Sequence, residues 1–220
     1  MRYCHYFLFF CLFAQNSFSK SVTKKQESTT QMLIIGDSIT EGYGVSSEKA
    51  YPALLEARLN DKLGKKIKLV PSAISGSTTA TGPDRFKWIT KRPEVFQHLV
   101  LFLGGNDILR SIDPQESKKN LRQTLLAMKE YQTKHPKEKV QIYLVEMKIP
   151  KNYGSKTALA WEQMYKDLQK EISFHFIPFP LAEIALKKEW NLADGIHPNE
   201  KGHNKLADYF LDYFIKQGKL

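Results

Sequence analysis

The sequence predicts a single α/β domain of three layers, a parallel sheet covered by helices on both faces. Three observations carry that prediction. Five short, largely apolar runs begin near residues 32, 67, 99, 140 and 174, and the unbroken Leu99–Leu103 in particular reads as a strand buried on both faces. Stretches with apolar residues at helical spacing separate them. Three of the runs end at Gly36, at Ser75-Gly76 and at Gly104-Gly105, the turn chemistry expected at the carboxyl edge of such a sheet, where ligands bind.

The elements follow in order. Met1-Arg2 precedes the apolar run Phe7 to Ala14 and then small polar residues, which reads as a secretory signal peptide over residues 1–19. The run is too short to span a bilayer, which takes about 20 residues. Lipidation at Cys11 is the rival reading, weakened by the bulky Phe9 and Phe10 before it; a cytosolic chain with an apolar first strand is the bland one. Residues 20–30 are Ser/Thr/Lys-rich and read as a flexible lead-in. The domain proper is expected over 31–220, with neither an internal repeat nor a linker inside it.

Met32–Ile35 is the first strand. Tyr51, Leu54, Leu55, Leu59 and Leu63 mark a helix over 49–63 that stops at Gly64. Ile67–Ile74 and Leu99–Leu103 are the second and third strands. Asp113-Pro114-Gln115-Glu116 supplies an N-cap, a first-turn proline and an early acid, so a helix should run from there to about Lys134, before Pro136. Val140–Val145 is the fourth strand, a helix carrying Leu159, Met164, Tyr165 and Leu168 follows, and Phe174–Phe179 is the fifth strand. A last helix places Leu206, Tyr209, Phe210, Tyr213 and Phe214 on one face.

Charge and cysteines narrow the function classes. The chain has 33 Lys+Arg against 23 Asp+Glu, net +10, and loses only Arg2 with the leader. The lysines are scattered, with pairs at Lys24-Lys25, Lys65-Lys66, Lys118-Lys119 and Lys187-Lys188, and no basic stripe is interleaved with aromatics, so nucleic acid is not the expected partner. A solvated basic surface explains the excess; transient contact with anionic membrane surfaces is the functional alternative. Both cysteines, Cys4 and Cys11, lie in the leader, so the mature chain would be an exported protein with no disulfide, stable on its core alone. No His/Cys/Asp cluster has metal-ligand spacing and no glycine loop suits a phosphate, so neither metal nor cofactor is expected.

Chemistry concentrates in blocks at the strand ends. Ser38, in Gly36-Asp37-Ser38, would stand at a helix start with a free backbone N–H nearby, although on its own Gly-Asp-Ser is better explained as a helix cap. Thr40 replaces the glycine of a Gly-x-Ser-x-Gly elbow, which disfavours an ordinary α/β-hydrolase. Asp194-Gly195-Ile196-His197-Pro198 offers an imidazole base and, three residues away across a turn, a carboxylate to fix its tautomer; a capping turn with an incidental surface histidine explains the spacing equally well. Asn106, in Gly104-Gly105-Asn106-Asp107, is a candidate amide donor to an oxyanion, and Gly76 a candidate backbone donor; both residue types also suit turns. Of the other histidines, His98, His135 and His175 are expected at the surface, and His203 has no evident carboxylate partner.

Together the blocks resemble the SGNH (GDSL-type) hydrolases, with Ser38, Gly76, Asn106 and His197 in that family's order, and within it the arylesterase/thioesterase I/lysophospholipase L1 group. Ala50-Tyr51-Pro52-Ala53-Leu54-Leu55, Ile149 to Gly154 and Glu189-Trp190-Asn191 extend the likeness, which covers residues 31–215. The resemblance implies a five-stranded sheet of flavodoxin-like order and a Ser38–His197–Asp194 triad. It also implies an oxyanion hole from the Ser38 and Gly76 N–H groups and the Asn106 side chain. Asp37, Asp107 and Tyr153 are candidates either to line the pocket or to support it from behind, and Ile149 and Pro150, in the Ile149–Gly154 loop, are candidates to line it. Two departures stand out: Ile39 follows Ser38 where the family has Leu, and the Gly76 block reads Pro71 to Thr78 without its usual Asn and Asp. The expected activity is hydrolysis of aryl, acyl-thio or lysophospholipid esters by a monomer. A carbohydrate acetylesterase and a non-catalytic lipid or acyl-binding protein are the alternatives.

Overall fold

The computed structural model describes Met1, residues 29–149, 154–218 and Leu220. The expected leader beyond Met1 and most of the lead-in therefore lie outside the described residues, as do Pro150 and Tyr153. Five strands, β1 (Thr30–Gly36), β2 (Ile67–Ala73), β3 (His98–Phe102), β4 (Gln141–Val145) and β5 (His175–Ile177), form one parallel sheet in the order β2-β1-β3-β4-β5.

Burial explains the strand sequences. β3 is buried along its whole length and β1 from Met32 onward, and the register sets Leu33 opposite Leu99 and Leu101 opposite both Ile35 and Leu144. Edge strand β2 exposes Lys68 and Pro71, and an edge is where a proline without an N–H is tolerated.

Among the described residues seven α-helices cover the sheet: α1 (Ser38–Glu41), α2 (Tyr51–Leu63), α3 (Gly82–Ile89), α4 (Gly105–Leu109), α5 (Pro114–Lys134), α6 (Ser155–Glu171) and α7 (Glu200–Gln217). α2 packs on α7, while α5 packs on both α3 and α6, giving the three-layer α/β/α sandwich. α5 begins where its local chemistry says it should, with Asp113 accepting from the Gln115 N–H and Pro114 as first residue.

Some expectations need correction. The fifth strand is three residues long rather than six, because Pro178 and Pro180 have no N–H for the ladder and the Phe179 N–H turns to Glu146 Oε2 at 3.0 Å. The helix expected from 49 starts at Tyr51, after a 3₁₀ turn at Ser47–Lys49. His98 is buried, not at the surface: it opens a central strand and its ring meets the Tyr143 hydroxyl at 3.3 Å. His203 is also fully buried, its Nδ1 accepting from the Tyr51 N–H at 3.2 Å and so tying α7 to the start of α2. Among the described residues no helix is long and apolar enough to cross a membrane.

Candidate active site

The carboxyl ends of β1, β3, β4 and β5 converge on one cleft of about 240 Å³. Ser38 follows β1, Asn106 follows β3, Met147 and Lys148 follow β4, Phe179 and Leu186 follow β5, and the Gly195–His197 turn closes the circle. The lining is mainly apolar.

Backbone geometry builds the Ser38 corner. Asp37 caps α1, its Oδ1 accepting from the Ile39 N–H at 3.1 Å, so Ser38 is the first helical residue. A Cβ on Gly36 would sit 2.1 Å from Thr40 Oγ1, which is why only glycine lets α1 fold back so tightly after the strand. Arg85, on α3, holds the same corner from below by donating both terminal nitrogens to the Gly36 carbonyl at 3.0 Å.

The histidine turn is held by a single carboxylate. Asp194 Oδ1 accepts the N–H groups of Ile196 at 2.9 Å and His197 at 3.0 Å, while Oδ2 meets His197 Nδ1 at 2.7 Å. His197 Nε2 then lies 3.0 Å from Ser38 Oγ, across 159 residues of sequence. Desolvation of Asp194, the largest single influence, works against ionisation, but the bonds from His197 and Ile196 together outweigh it and bring the carboxyl down to about 2, so it is ionised at any ordinary pH. A hydroxyl, an imidazole and a carboxylate joined in that order can pass the hydroxyl proton to the ring while the carboxylate steadies the resulting cation. Tyr43, which the sequence did not single out, packs its ring against His197 with centroids 4.5 Å apart.

Asn106 stands opposite. Its Nδ2 donates to the Ser77 carbonyl at 3.0 Å and approaches Asp37 Oδ2 at 3.4 Å, so the amide is oriented from two sides. Gly76 is not a lining residue; its loop joins the site through Ser77 and is clamped from α1 by Glu41, which accepts from the Ser75 N–H at 2.7 Å and from the Ser75 hydroxyl. Gly76 has φ +77, a left-handed backbone that favours glycine. No sequence signal marked Glu41, because its partner is 34 positions away.

Two pocket candidates lie elsewhere. Asp107 is fully buried beneath the cleft, where its carboxylate accepts from the Thr79 N–H at 2.9 Å, the Thr79 hydroxyl at 2.5 Å and the Ser117 hydroxyl at 2.9 Å. It ties α4 to α5 and does not line the cleft, since one residue along a helix points to a different face. Ile149 lines a smaller cavity of about 30 Å³ beside Trp161 and Ala158. Asp37 does line the main cleft.

Burial pushes the Asp37 carboxyl up to about 6, partly offset by the Ile39 N–H and the nearby His197. Burial pushes His98 and His203 the other way, each down to about 4, helped by His175 and His197 respectively. These shifts set a pH dependence of stability. The two histidines bind protons more readily unfolded, so their contribution is intact above about 6.5 and is lost as pH falls toward 4. Asp37 binds its proton more readily folded, so acidification through about 6 returns stability. At pH 5 the rings lose on the order of 2 kcal/mol each and Asp37 returns about 1 kcal/mol, so denaturant unfolding should show a net loss of roughly 2–3 kcal/mol from pH 7 to pH 5. Equal unfolding free energies at the two pH values would refute it.

The GDSL-like Lipase/Acylhydrolase family model matches residues 34–205. "Thioesterase 1/protease 1/lysophospholipase L1" of Escherichia coli (strain K12) is 34% identical over 188 residues, covering 86% of this chain and 85% of that protein. An arylesterase of Vibrio mimicus is 28% identical over 214 residues, covering 95% of each. Among solved structures, the psychrotrophic esterase EstA from Pseudoalteromonas sp., inhibited by monoethylphosphonate, superposes with a TM-score of 0.75 at 25% identity over 87% of this chain and all of that one. The chain therefore belongs to the GDSL-like lipase/acylhydrolase family.

Proposed function

We propose that this chain hydrolyses carboxylic esters through an acyl-enzyme on Ser38. The observation that carries the reading is the continuous line from Ser38 Oγ through His197 to Asp194, with links of 3.0 and 2.7 Å, opening onto an apolar cleft. Ser38 Oγ attacks the acyl carbonyl as its proton passes to His197 Nε2. The Oγ–C bond forms and the carbonyl π pair moves to oxygen, where the Asn106 amide and the N–H groups of Ser38 and Gly76 would receive it. Collapse expels the alcohol or thiol, which takes the proton from His197. Water then attacks the acyl-enzyme with His197 as base, releasing the acid and restoring Ser38.

The lining supports a substrate class. Ile39, Ile108, Leu109, Met147, Phe179 and Leu181 suit an acyl chain or an aryl group rather than a sugar, which favours aryl, acyl-thio or lysophospholipid esters over acetylated carbohydrate. The names of the Escherichia coli and Vibrio mimicus relatives support the same classes. Export, resting on the leader pattern at 1–19, and a monomeric state belong to this proposal.

The direct test is a fluorophosphonate probe together with a p-nitrophenyl ester series of increasing acyl length. Covalent labelling at Ser38 with turnover of the esters is expected. A protein that binds acyl chains yet neither labels nor turns over would be a lipid carrier, and the reading would fail.

A further inference from the structure

Among the described residues nine large apolar side chains stand exposed, and five of them gather around this one cleft. Leu109, Leu186 and Ile196 line it, Tyr43 packs on His197, and Ile74 leads into the Ser75–Ser77 loop that is bonded to Asn106. A random scatter of exposed apolar groups needs no explanation, but a concentration on one rim does. Leu186 is the most telling. It is 69% exposed and has φ +63, a left-handed backbone in which Gly or Asn would be less strained. Neither burial nor local conformation accounts for a leucine there.

The same rim is basic. Arg110 follows Leu109, Lys187 and Lys188 follow Leu186, and Lys148, which is paired with Glu146 at 3.6 Å, lines the cleft itself. Among the described residues Arg110, Lys187 and Lys188 make no ion pair. Exposed leucine and isoleucine beside unpaired cations on a chain of net charge +10 match an anionic lipid surface, whose interface takes apolar side chains and whose headgroups take the cations.

We propose that the cleft mouth docks on anionic bilayers, with Leu109, Leu186 and Ile196 entering the interface and Arg110, Lys187 and Lys188 facing the headgroups. Docking in this orientation lets an acyl ester pass from the lipid to Ser38 without crossing water. That last consequence rests on the ester-hydrolase reading; the docking itself does not.

The experiment uses the full chain carrying Ser38→Ala, so that vesicles stay intact, in cosedimentation with phosphatidylcholine vesicles and with phosphatidylcholine–phosphatidylglycerol vesicles. Binding to the mixed vesicles is expected to be roughly tenfold or more the stronger and to weaken as salt is raised. In the same background Leu186→Ser, and separately Lys187→Glu with Lys188→Glu, should each lower it by about tenfold. On an otherwise wild-type chain the double lysine variant should keep its turnover of a soluble p-nitrophenyl ester. Equal binding to both vesicle types, no binding, or binding undiminished in these variants would overturn the proposal. So would a dimer in light scattering that Leu186→Ser dissolves, which would give the rim to a second copy. Labelling at Ser38 is scored on the wild-type chain, so either reading fails without the other.

Discussion

Ser38→Ala should cut kcat for a p-nitrophenyl ester by about 10⁶, and His197→Ala should cut it by about as much, with the double variant no worse than either alone. The reason is the geometry of one shared step. In the proposed mechanism Nε2 takes the proton that Oγ gives up, the two atoms lying 3.0 Å apart, so neither group would contribute without the other. Asp194 acts differently and should cost less, about 10⁴. Asp194→Asn is the informative variant. Its Oδ1 would keep the two N–H bonds that shape the Gly195–Ile196 turn, so the fold is retained, while its amide nitrogen would face His197 Nδ1 where an acceptor is needed. The ring then takes the wrong tautomer and Nε2 can no longer accept a proton. Steady-state rates of the three single variants and the double variant decide the matter. Losses at Ser38 and His197 that multiply would mean the two residues act independently and would remove the triad assignment.

The sequence carried these features unevenly, for physical reasons. Continuous apolar strands and the Asp113-Pro114 cap are local signals, and the sheet and α5 follow them closely. α3 escaped notice because its eight residues bury only Gly82, Phe86 and Ile89, too few for a period to show. Yet it supplies Arg85, which fixes the end of β1 immediately before Asp37 and Ser38. His197 and Asp194 were legible because their bond closes within one turn, whereas Glu41 reaches Ser75 and Tyr43 reaches His197 only after the chain has folded. Asp107 was a candidate either to line the pocket or to support it, and only the folded α4, which turns its carboxylate inward onto Thr79 and Ser117, separates the two. The buried His98 shows the same limit: a polar residue at the start of a strand reads as surface until the neighbouring strand covers it.

Asn106→Ala should lower kcat by roughly 10²–10³ while leaving KM nearly unchanged, because an oxyanion donor is used only once the carbonyl oxygen has gained charge. One amide N–H is held by the Ser77 carbonyl at 3.0 Å before substrate arrives, and the other, in a longer 3.4 Å contact with Asp37 Oδ2, is the one that turns to the oxyanion. Asn106→Asp should be worse than Ala despite its closer shape. It would replace the donor by a second carboxyl within reach of Asp37, which is already pushed up to about 6 by burial, and any charge it carries would oppose the developing oxyanion. Rates for the two variants on one aryl ester, with KM measured alongside, separate the possibilities. A fall in affinity with kcat intact would make Asn106 a ground-state contact. An unchanged kcat in Asn106→Ala would take the side chain out of the oxyanion hole and leave that role to the backbone N–H groups of Ser38 and the loop that Glu41 clamps.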